Sequence, residues 1–359
     1  MHPMEQLPIP LLQWYQEHKR CLPWRSHPTP YWVWVSEIML QQTRVAAVIP
    51  YFTRFMRALP TVSDLAYAEE DQLMKLWQGL GYYSRARNLQ KAARQIMSDF
   101  DGVFPHTYED ILSLSGIGEY TAGAIASIAF QIPVPAVDGN VLRVAARISG
   151  NRGDIAAAQV KRDLRDQLFS ILPKHQPGDF NQAMMELGAT VCLPNGAPLC
   201  SQCPAASFCT AYLTGQTDSL PVKSPKKPRR VENRTVFLLF HEKKVALRRR
   251  PSKGLLASLW EYPNEIGAWS ACPSAWQFSH EPLSFAASGK HVFTHVEWHM
   301  TGQWARCTDA ALPDGWVWAS FTDLQETYAL PSAFSSFLPF VEQTLTGQIE
   351  PQLRLPLPS

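Results

Sequence analysis

Apolar positions from the first residues to about 215 recur at three- and four-residue spacing, the repeat of helices packed on one side, and no strand-like alternation competes there. Thr61–Leu80 carries this spacing between Pro60 and the glycines at 79 and 81, which predicts one helical segment. Ala86–Phe100 predicts another, and Tyr31–Val45 reads as helical too. The pattern changes at Asp218–Arg230, a proline-rich, basic stretch with the composition of an extended, solvated linker. Beyond it, Arg234–Phe240 and Lys243–Arg250 flank a polar turn as a strand pair would. Lys290–Met300 and Trp316–Ser320 supply further strands, and Pro331–Leu345 reads as a closing helix. No repeat of fixed period occurs. The expectation is a multidomain chain with an all-α part followed by an α+β part.

Length agrees: 359 residues suit two domains. The division expected is a helical domain at 1–217, the linker at 218–230, a second domain at 231–347 and a tail at 348–359. Hydrophobic residues at 46% and charged residues at 18% describe an ordinary globular balance. Net charge is only +2, so any nucleic-acid role has to rest on local basic surface. No apolar run approaches the roughly 20 residues of a membrane span, and the first residues lack a signal peptide's apolar core. A soluble, cytoplasmic protein that contacts no membrane is expected.

Four of the seven cysteines crowd into one stretch: Cys192, Cys200, Cys203 and Cys209, with seven, two and five residues between them. Four thiolates so close can ligate either a structural zinc ion or an iron–sulfur cluster. Disulfides are not expected in a reducing compartment. Leu112–Phe130 places Gly116-x-Gly118 between two apolar helical stretches. A plain helix–helix turn is the commoner reading of such a pair, and an anion site at a helix start the other. Asp138 follows an extended approach through Pro133 and Pro135 and precedes a helical run, so on its own it reads as an N-cap. Glu37 stands out more. In a helix it would share a face with Val33, Trp34, Leu40 and Gln41. A carboxyl there is either paired with an arginine or desolvated and held neutral, the state of a proton donor.

Taken in order, Glu37, the Gly116-x-Gly118 turn, Asp138 and the four cysteines resemble the endonuclease III superfamily, and among its branches the MutY-type adenine DNA glycosylases. The likeness runs from about Leu11 to about Pro339. It implies an all-α helix-hairpin-helix glycosylase domain, with the hairpin at about 112–130 and a [4Fe–4S] loop at 192–209, followed by an α+β Nudix-like domain. The usual first gap between the cysteines is one residue shorter than here.

The resemblance also implies chemistry. Glu37 would protonate adenine, Asp138 would stabilise positive charge at the sugar, and Asn140 and Tyr120 would support them, in the manner of two-carboxylate sugar hydrolysis. Tyr120 stands where strand-cleaving relatives carry a lysine, which implies a monofunctional enzyme. Without the resemblance Tyr120 reads equally as a packing aromatic. Arg20, Trp24, Arg25, Leu40 and Glu186 would form the adenine pocket, although Arg20, Arg25 and Glu186 also suit ordinary ion pairs. Gln41 and Thr43 belong to the same matching Leu40–Thr43 segment, and Gln42 and Tyr82 would wedge beside the opposite base, since a target base has to be flipped out of the duplex.

The tripeptide Phe293-Thr294-His295 stands where the family usually has Phe-Ser-His and implies recognition of 8-oxoguanine. Strict alternation would bury Thr294 with Val292, Val296, Trp298 and Met300, so the strand is expected to start near Val296 and leave Lys290–His295 as a loop. His291, His295 and His299 are expected to be scattered surface residues rather than a metal site. No Nudix metal box is present, so diphosphate hydrolysis is not expected. The implied cofactors are one [4Fe–4S] cluster and a monovalent cation at the hairpin. The implied partner is double-stranded DNA with an 8-oxoguanine:A or G:A mispair, bound by a monomer.

Overall fold

The computed structural model describes residues 2–225, 228–276 and 279–348. Its first part is helical throughout. Helices α1 (Pro8–His18), α2 (Pro23–Ser26), α3 (Pro30–Leu40), α4 (Val45–Ala58) and α5 (Val62–Tyr67) lead to α6 (Glu70–Trp77) and α7 (Ser84–Asp99). Then follow α8 (Tyr108–Ser113), α9 (Glu119–Phe130), α10 (Gly139–Ser149), α11 (Ala158–Ile171), α12 (Pro177–Thr190) and α13 (Thr210–Leu213). No helix among the described residues is long and apolar enough to cross a membrane.

Local chemistry sets the helix starts that matter most. Thr29 caps α3 by accepting from the Trp32 amide, with Pro30 in the first turn, where its missing N–H costs nothing. Asp138 caps α10, and Gly150, left-handed at φ 71°, ends it. Leu11, Tyr15, Val144, Leu164, Phe180 and Leu187 share one core, which draws α1, α10, α11 and α12 together.

The chain divides into two units, and the division is not a single cut. Ala68–Ala86 groups with the residues after the linker, while the chain up to Tyr67 and from Arg87 onward forms the helical unit. The expected single helix over Thr61–Leu80 is accordingly two, α5 and α6, interrupted at Ala68 where the chain leaves one unit for the other. Helical spacing continues across the interruption, so periodicity alone could not show it. The start of the expected linker is tied down rather than solvated. Leu220 is buried in the first core, its carbonyl accepts from Arg147 Nε at 2.8 Å, and the Ile155 amide donates to the Val222 carbonyl at 3.1 Å.

The second unit is built on one sheet. Its strands are β1 (Arg230–His241), β2 (Lys244–Arg249), β3 (Trp260–Glu261), β4 (Asn264–Ile266), β5 (Ser284–Val292), β6 (Val296–Arg306) and β7 (Trp316–Ala319), in the order β3-β2-β1-β6-β5, with β4 also on β1 and β7 on β2. Only β1 and β6 run parallel among the named pairs. α14 (Phe321–Glu326), a 3-10 segment at Ser332–Phe337 and α15 (Leu338–Leu345) complete the chain described. Trp298, Met300, Phe334, Phe337 and Val341 form the core on one face of the sheet.

Two expectations change here. The closing segment is a 3-10 turn followed by a helix, because Pro339 has no amide hydrogen to continue a helix begun at Ser332 but fits the first turn of a new one. Lys290–Val292 is strand rather than loop, paired with Glu297–His299, and the loop shrinks to Phe293–His295. The Phe293 amide donates to the Val296 carbonyl at 2.8 Å, so pairing runs up to the turn and Thr294 stays exposed at its tip. The tail beyond Gln348 lies outside the described residues.

Small residues on α9 let backbone approach it closely. A Cβ added to Gly123 would lie 2.6 Å from the Pro135 carbonyl oxygen, which belongs to the segment leading into Asp138. Gly123→Ala is expected to lower unfolding free energy by about 1–3 kcal/mol in urea titration. An unchanged midpoint would show that this segment can shift freely.

Candidate active site

Helical spacing decides what lines a cavity of the first unit, about 660 Å³ in volume. Val33, Ser36, Glu37 and Leu40 form one stripe of α3, and Gln182, Met185, Glu186 and Ala189 one stripe of α12. Tyr120 from α9 and Asp138, Gly139 and Asn140 from the start of α10 complete the wall, with Gln41, Gln42 and Thr43 at the end of α3. Trp34, expected on the Glu37 face, turns instead into the core against Tyr31 and Phe104.

Glu37 is only 5% exposed. No arginine pairs with it among the described residues; its Oε2 accepts a hydrogen bond from the Tyr120 hydroxyl, which also lies 3.2 Å from the Met185 sulfur. Burial pushes the Glu37 carboxyl up to about 7, against an ordinary 4.5, and the nearby Asp138 carboxylate adds to the rise. The Tyr120 hydrogen bond and the Arg25 charge oppose it. Burial and the Glu37 charge hold the Tyr120 phenol well above its ordinary value, so it remains a neutral donor.

Asp138 is treated differently. It is both the expected N-cap and a cavity residue. Oδ1 accepts from the Val141 amide at 2.7 Å and Oδ2 from Asn140 Nδ2 at 2.9 Å. Burial leaves its pKa above the ordinary carboxylate value, although these donors and the Arg143 charge limit the rise. Arg143 Nη2 in turn donates to Asn140 Oδ1 at 2.9 Å and to the Gly188 carbonyl at 2.7 Å, and its Nε to the Cys192 carbonyl at 3.0 Å.

At the cavity wall, Arg20 Nε and Arg25 Nη2 meet the two oxygens of Glu186 at 2.5 and 2.8 Å. Burial alone would raise the Glu186 pKa, but the two guanidinium groups hold it below the ordinary carboxylate range. These three are thus ion-pair partners and cavity residues at once. Trp24 is buried beside them, and Gln41 Nε2 donates to Thr121 Oγ1 at 3.4 Å. Gln42 is exposed with φ 58°, an uncommon conformation for a residue with a β-carbon. Gly116 is needed at its turn, since φ is 78° and a Cβ would lie 2.5 Å from Asn88 Cβ, whereas Gly118 has open space around it.

The four cysteines line one pocket together with Val144, Arg147, Leu187 and Val191. None is in a disulfide. Arg147 Nη1 donates to Cys192 Sγ at 3.3 Å. The long first gap closes on itself, because the Leu193 and Leu199 amides both donate to the Val191 carbonyl, at 3.0 and 2.9 Å. Among the described residues no three His, Cys, Asp or Glu side chains stand close enough to hold a single metal ion.

The remaining expected residues belong to the second unit. The Tyr82 hydroxyl and Thr294 Oγ1 are 3.1 Å apart, Phe293 packs on Trp298 at 4.8 Å between ring centroids, and His295 is exposed. His291 packs on Phe293, and His299 pairs with Glu297 at 2.6 Å, so the evenly spaced histidines do not converge. Met185, Gln182 and Arg143 were not singled out in the sequence. The signal was there for each: Gln182 and Met185 share the helical stripe of Glu186, and Arg143 lies one turn beyond Asn140.

Comparison with known proteins identifies what the chain is similar to. Residues 35–168 match the family described as HhH-GPD superfamily base excision DNA repair protein, and residues 235–339 match a NUDIX domain. The chain is 34% identical to an adenine DNA glycosylase of Rattus norvegicus, over 96% of this chain and 80% of that one. It is 40% identical to the Homo sapiens adenine DNA glycosylase over 71% of this chain and 56% of that one. With that of Buchnera aphidicola (Acyrthosiphon pisum strain) it shares 36% over 70% and 72%. Among solved structures, a thermostable thymine-DNA glycosylase superposes with a TM-score of 0.54 at 26% identity, covering 59% of this chain and 97% of that one. An endonuclease III–DNA complex at 22% identity, TM-score 0.50, covering 60% and 97%, shares the fold.

The Glu37 environment has a stability signature. The unfolded chain loses this proton near pH 4.5 and the folded protein near 7. Wild-type stability therefore falls as pH rises between those values, by on the order of 3 kcal/mol at the plateau above them. Glu37→Gln mimics the neutral acid. Its gain in thermal midpoint over wild type is expected to be absent at low pH, to grow from about pH 4.5 to 7 and to level off. A gain that stays flat across this range would contradict a buried neutral carboxyl.

Proposed function

This chain belongs to the adenine DNA glycosylases, base-excision repair enzymes of the HhH-GPD superfamily, and we propose that it excises adenine paired with 8-oxoguanine or guanine and leaves an abasic site without cutting the strand. The observation that carries the reading is two carboxyls in one cavity, Glu37 buried with its pKa raised to about 7 and Asp138 half-buried with two hydrogen-bond donors on its oxygens.

Adenine is a poor leaving group unless a ring nitrogen gains a proton. Glu37 is the donor: it keeps its proton near neutral pH, and with Oε2 engaged by Tyr120 its other oxygen is the one that can face N7. Loss of the base leaves positive charge at C1′. Asp138, an anion at the start of α10, stabilises that charge while Asn140 and the Val141 amide fix its orientation. Water adds at C1′ to complete hydrolysis. No lysine stands at position 120, so no Schiff base forms there and the strand stays whole. Glu186 accepts from the adenine amino group beside Arg20 and Arg25, with Trp24 and Leu40 as apolar walls. Gln42 is the candidate in the helical unit for wedging beside the opposite base. In the second unit Tyr82 is the corresponding candidate, and Thr294, between Phe293 and His295, reads 8-oxoguanine by its hydroxyl.

The four cysteines are read as ligands of one [4Fe–4S] cluster. Their chemistry fits: four free thiols line one pocket with apolar walls beside a guanidinium. Such a cluster would tie the 192–209 loop together as a structural element. The purified protein is expected to be brown, with absorption near ~400 nm that Cys203→Ser diminishes. A colourless protein with stoichiometric zinc would overturn the assignment.

The activity is tested in single turnover on duplexes with adenine opposite 8-oxoguanine, guanine or thymine, with and without alkali. Wild type is expected to release adenine opposite 8-oxoguanine, with strand breaks only after alkali. Glu37→Gln should slow release roughly a hundred- to ten-thousand-fold. Intact adenine in all three duplexes, with DNA binding preserved, would contradict the reading.

A further inference from the structure

Three of the four residues in Gly79–Tyr82 have positive φ: Gly79 at 102°, Gly81 at 71° and Tyr82 at 46°. Open space surrounds Gly81, so glycine is there for its backbone angle and not for room. Tyr82 has no such licence, and a tyrosine holds a left-handed conformation only where its surroundings enforce it. Tyr82 is nonetheless 46% exposed.

Arg85 supplies the enforcement. It lies three residues on, at the start of α7, where its amide donates to the Tyr82 carbonyl at 2.9 Å. Its side chain is buried. Nη2 donates to the carbonyls of Leu80 at 3.0 Å and Gly81 at 3.1 Å. The same Gly81 carbonyl accepts from Trp77 Nε1 at 3.1 Å. The guanidinium carbon lies 5.4 Å from the Trp77 ring centroid and 5.6 Å from that of Tyr82. One planar cation thus fixes the two carbonyls ahead of Tyr82 and backs its ring. Burial draws its pKa down to about 10, which leaves it charged at neutral pH. A lysine cannot do the same: an ammonium is a point donor without the flat fork that bonds and stacks at once.

We propose that Arg85 is a positioning residue that fixes the pose of Tyr82, and through it sets the preference for 8-oxoguanine over guanine opposite the adenine. This rests on the reading above in which Tyr82 and Thr294 meet the opposite base.

The test is a double-mutant cycle of Arg85→Lys and Tyr82→Ala in the full-length protein. Single-turnover adenine release is measured opposite 8-oxoguanine and opposite guanine, and circular dichroism checks folding. The ratio of the two rates is expected to fall about tenfold in each single variant and no further in the double variant. A wild-type ratio in Arg85→Lys beside a lost ratio in Tyr82→Ala would overturn the role of Arg85 and leave that of Tyr82 standing. A wild-type ratio in Tyr82→Ala would remove both. Multiplied losses in the double variant would show that Arg85 acts independently of Tyr82, which also overturns the proposal. Should Arg85→Lys fail to fold, Gly81→Ala disturbs the same turn without a clash, and a wild-type ratio there counts against it equally.

Discussion

Two carboxyl groups in one cavity cannot both ionise cheaply, and the helical unit is arranged around that constraint. Each anion raises the cost of the other, and burial raises the cost of both. The fold resolves the conflict by unequal partners. Asp138 begins a helix, where a backbone amide and Asn140 converge on its oxygens. Glu37 sits mid-helix among apolar side chains, with the Tyr120 hydroxyl as its hydrogen-bond donor. The donors thus favour the anion at Asp138, while burial favours the acid at Glu37. Removing a base needs both states at once, and the packing of α3, α9, α10 and α12 is what holds them in one place.

Support for Asp138 continues inward. Asn140 is held by Arg143, and Arg143 also binds carbonyls at the end of α12 and at Cys192. Gly188 on α12 has no room for a β-carbon, which would lie 2.7 Å from Asn140 Cβ. The cysteine loop is thus hydrogen-bonded to the element that orients the carboxylate. In the second unit the same economy recurs in another form, with a short loop of the β5–β6 hairpin and the turn before α7 meeting through Thr294 and Tyr82.

Much of this was legible in the residues. Glu37 betrayed itself as a charge on an apolar helical face, Asp138 as a cap after an extended approach, and the cysteines by spacing. What escaped had physical causes. Helical spacing runs across Ala68 although the chain changes unit there. The strand through Val292 depends on cross-strand partners that alternation does not name. Pro339 was visible, yet only packing decides whether a proline kinks a helix or starts one. Leu220 lies in a stretch whose composition says linker, but a single apolar side chain anchored in a core outweighs its basic neighbours. The left-handed conformation of Tyr82 leaves no trace in its identity. It follows from Arg85, which in sequence is one arginine among many.

The most direct test of the account is the titration of Glu37 itself, followed through its carboxyl stretch in infrared difference spectra of wild type against Glu37→Gln. Protonated carboxyl signal is predicted to persist up to a midpoint near pH 7. In Tyr120→Phe the midpoint should move higher, because the lost hydrogen bond favours the anion. A midpoint near the ordinary 4.5 in wild type would contradict the account, since the residue would then be ionised at neutral pH and could not donate the proton.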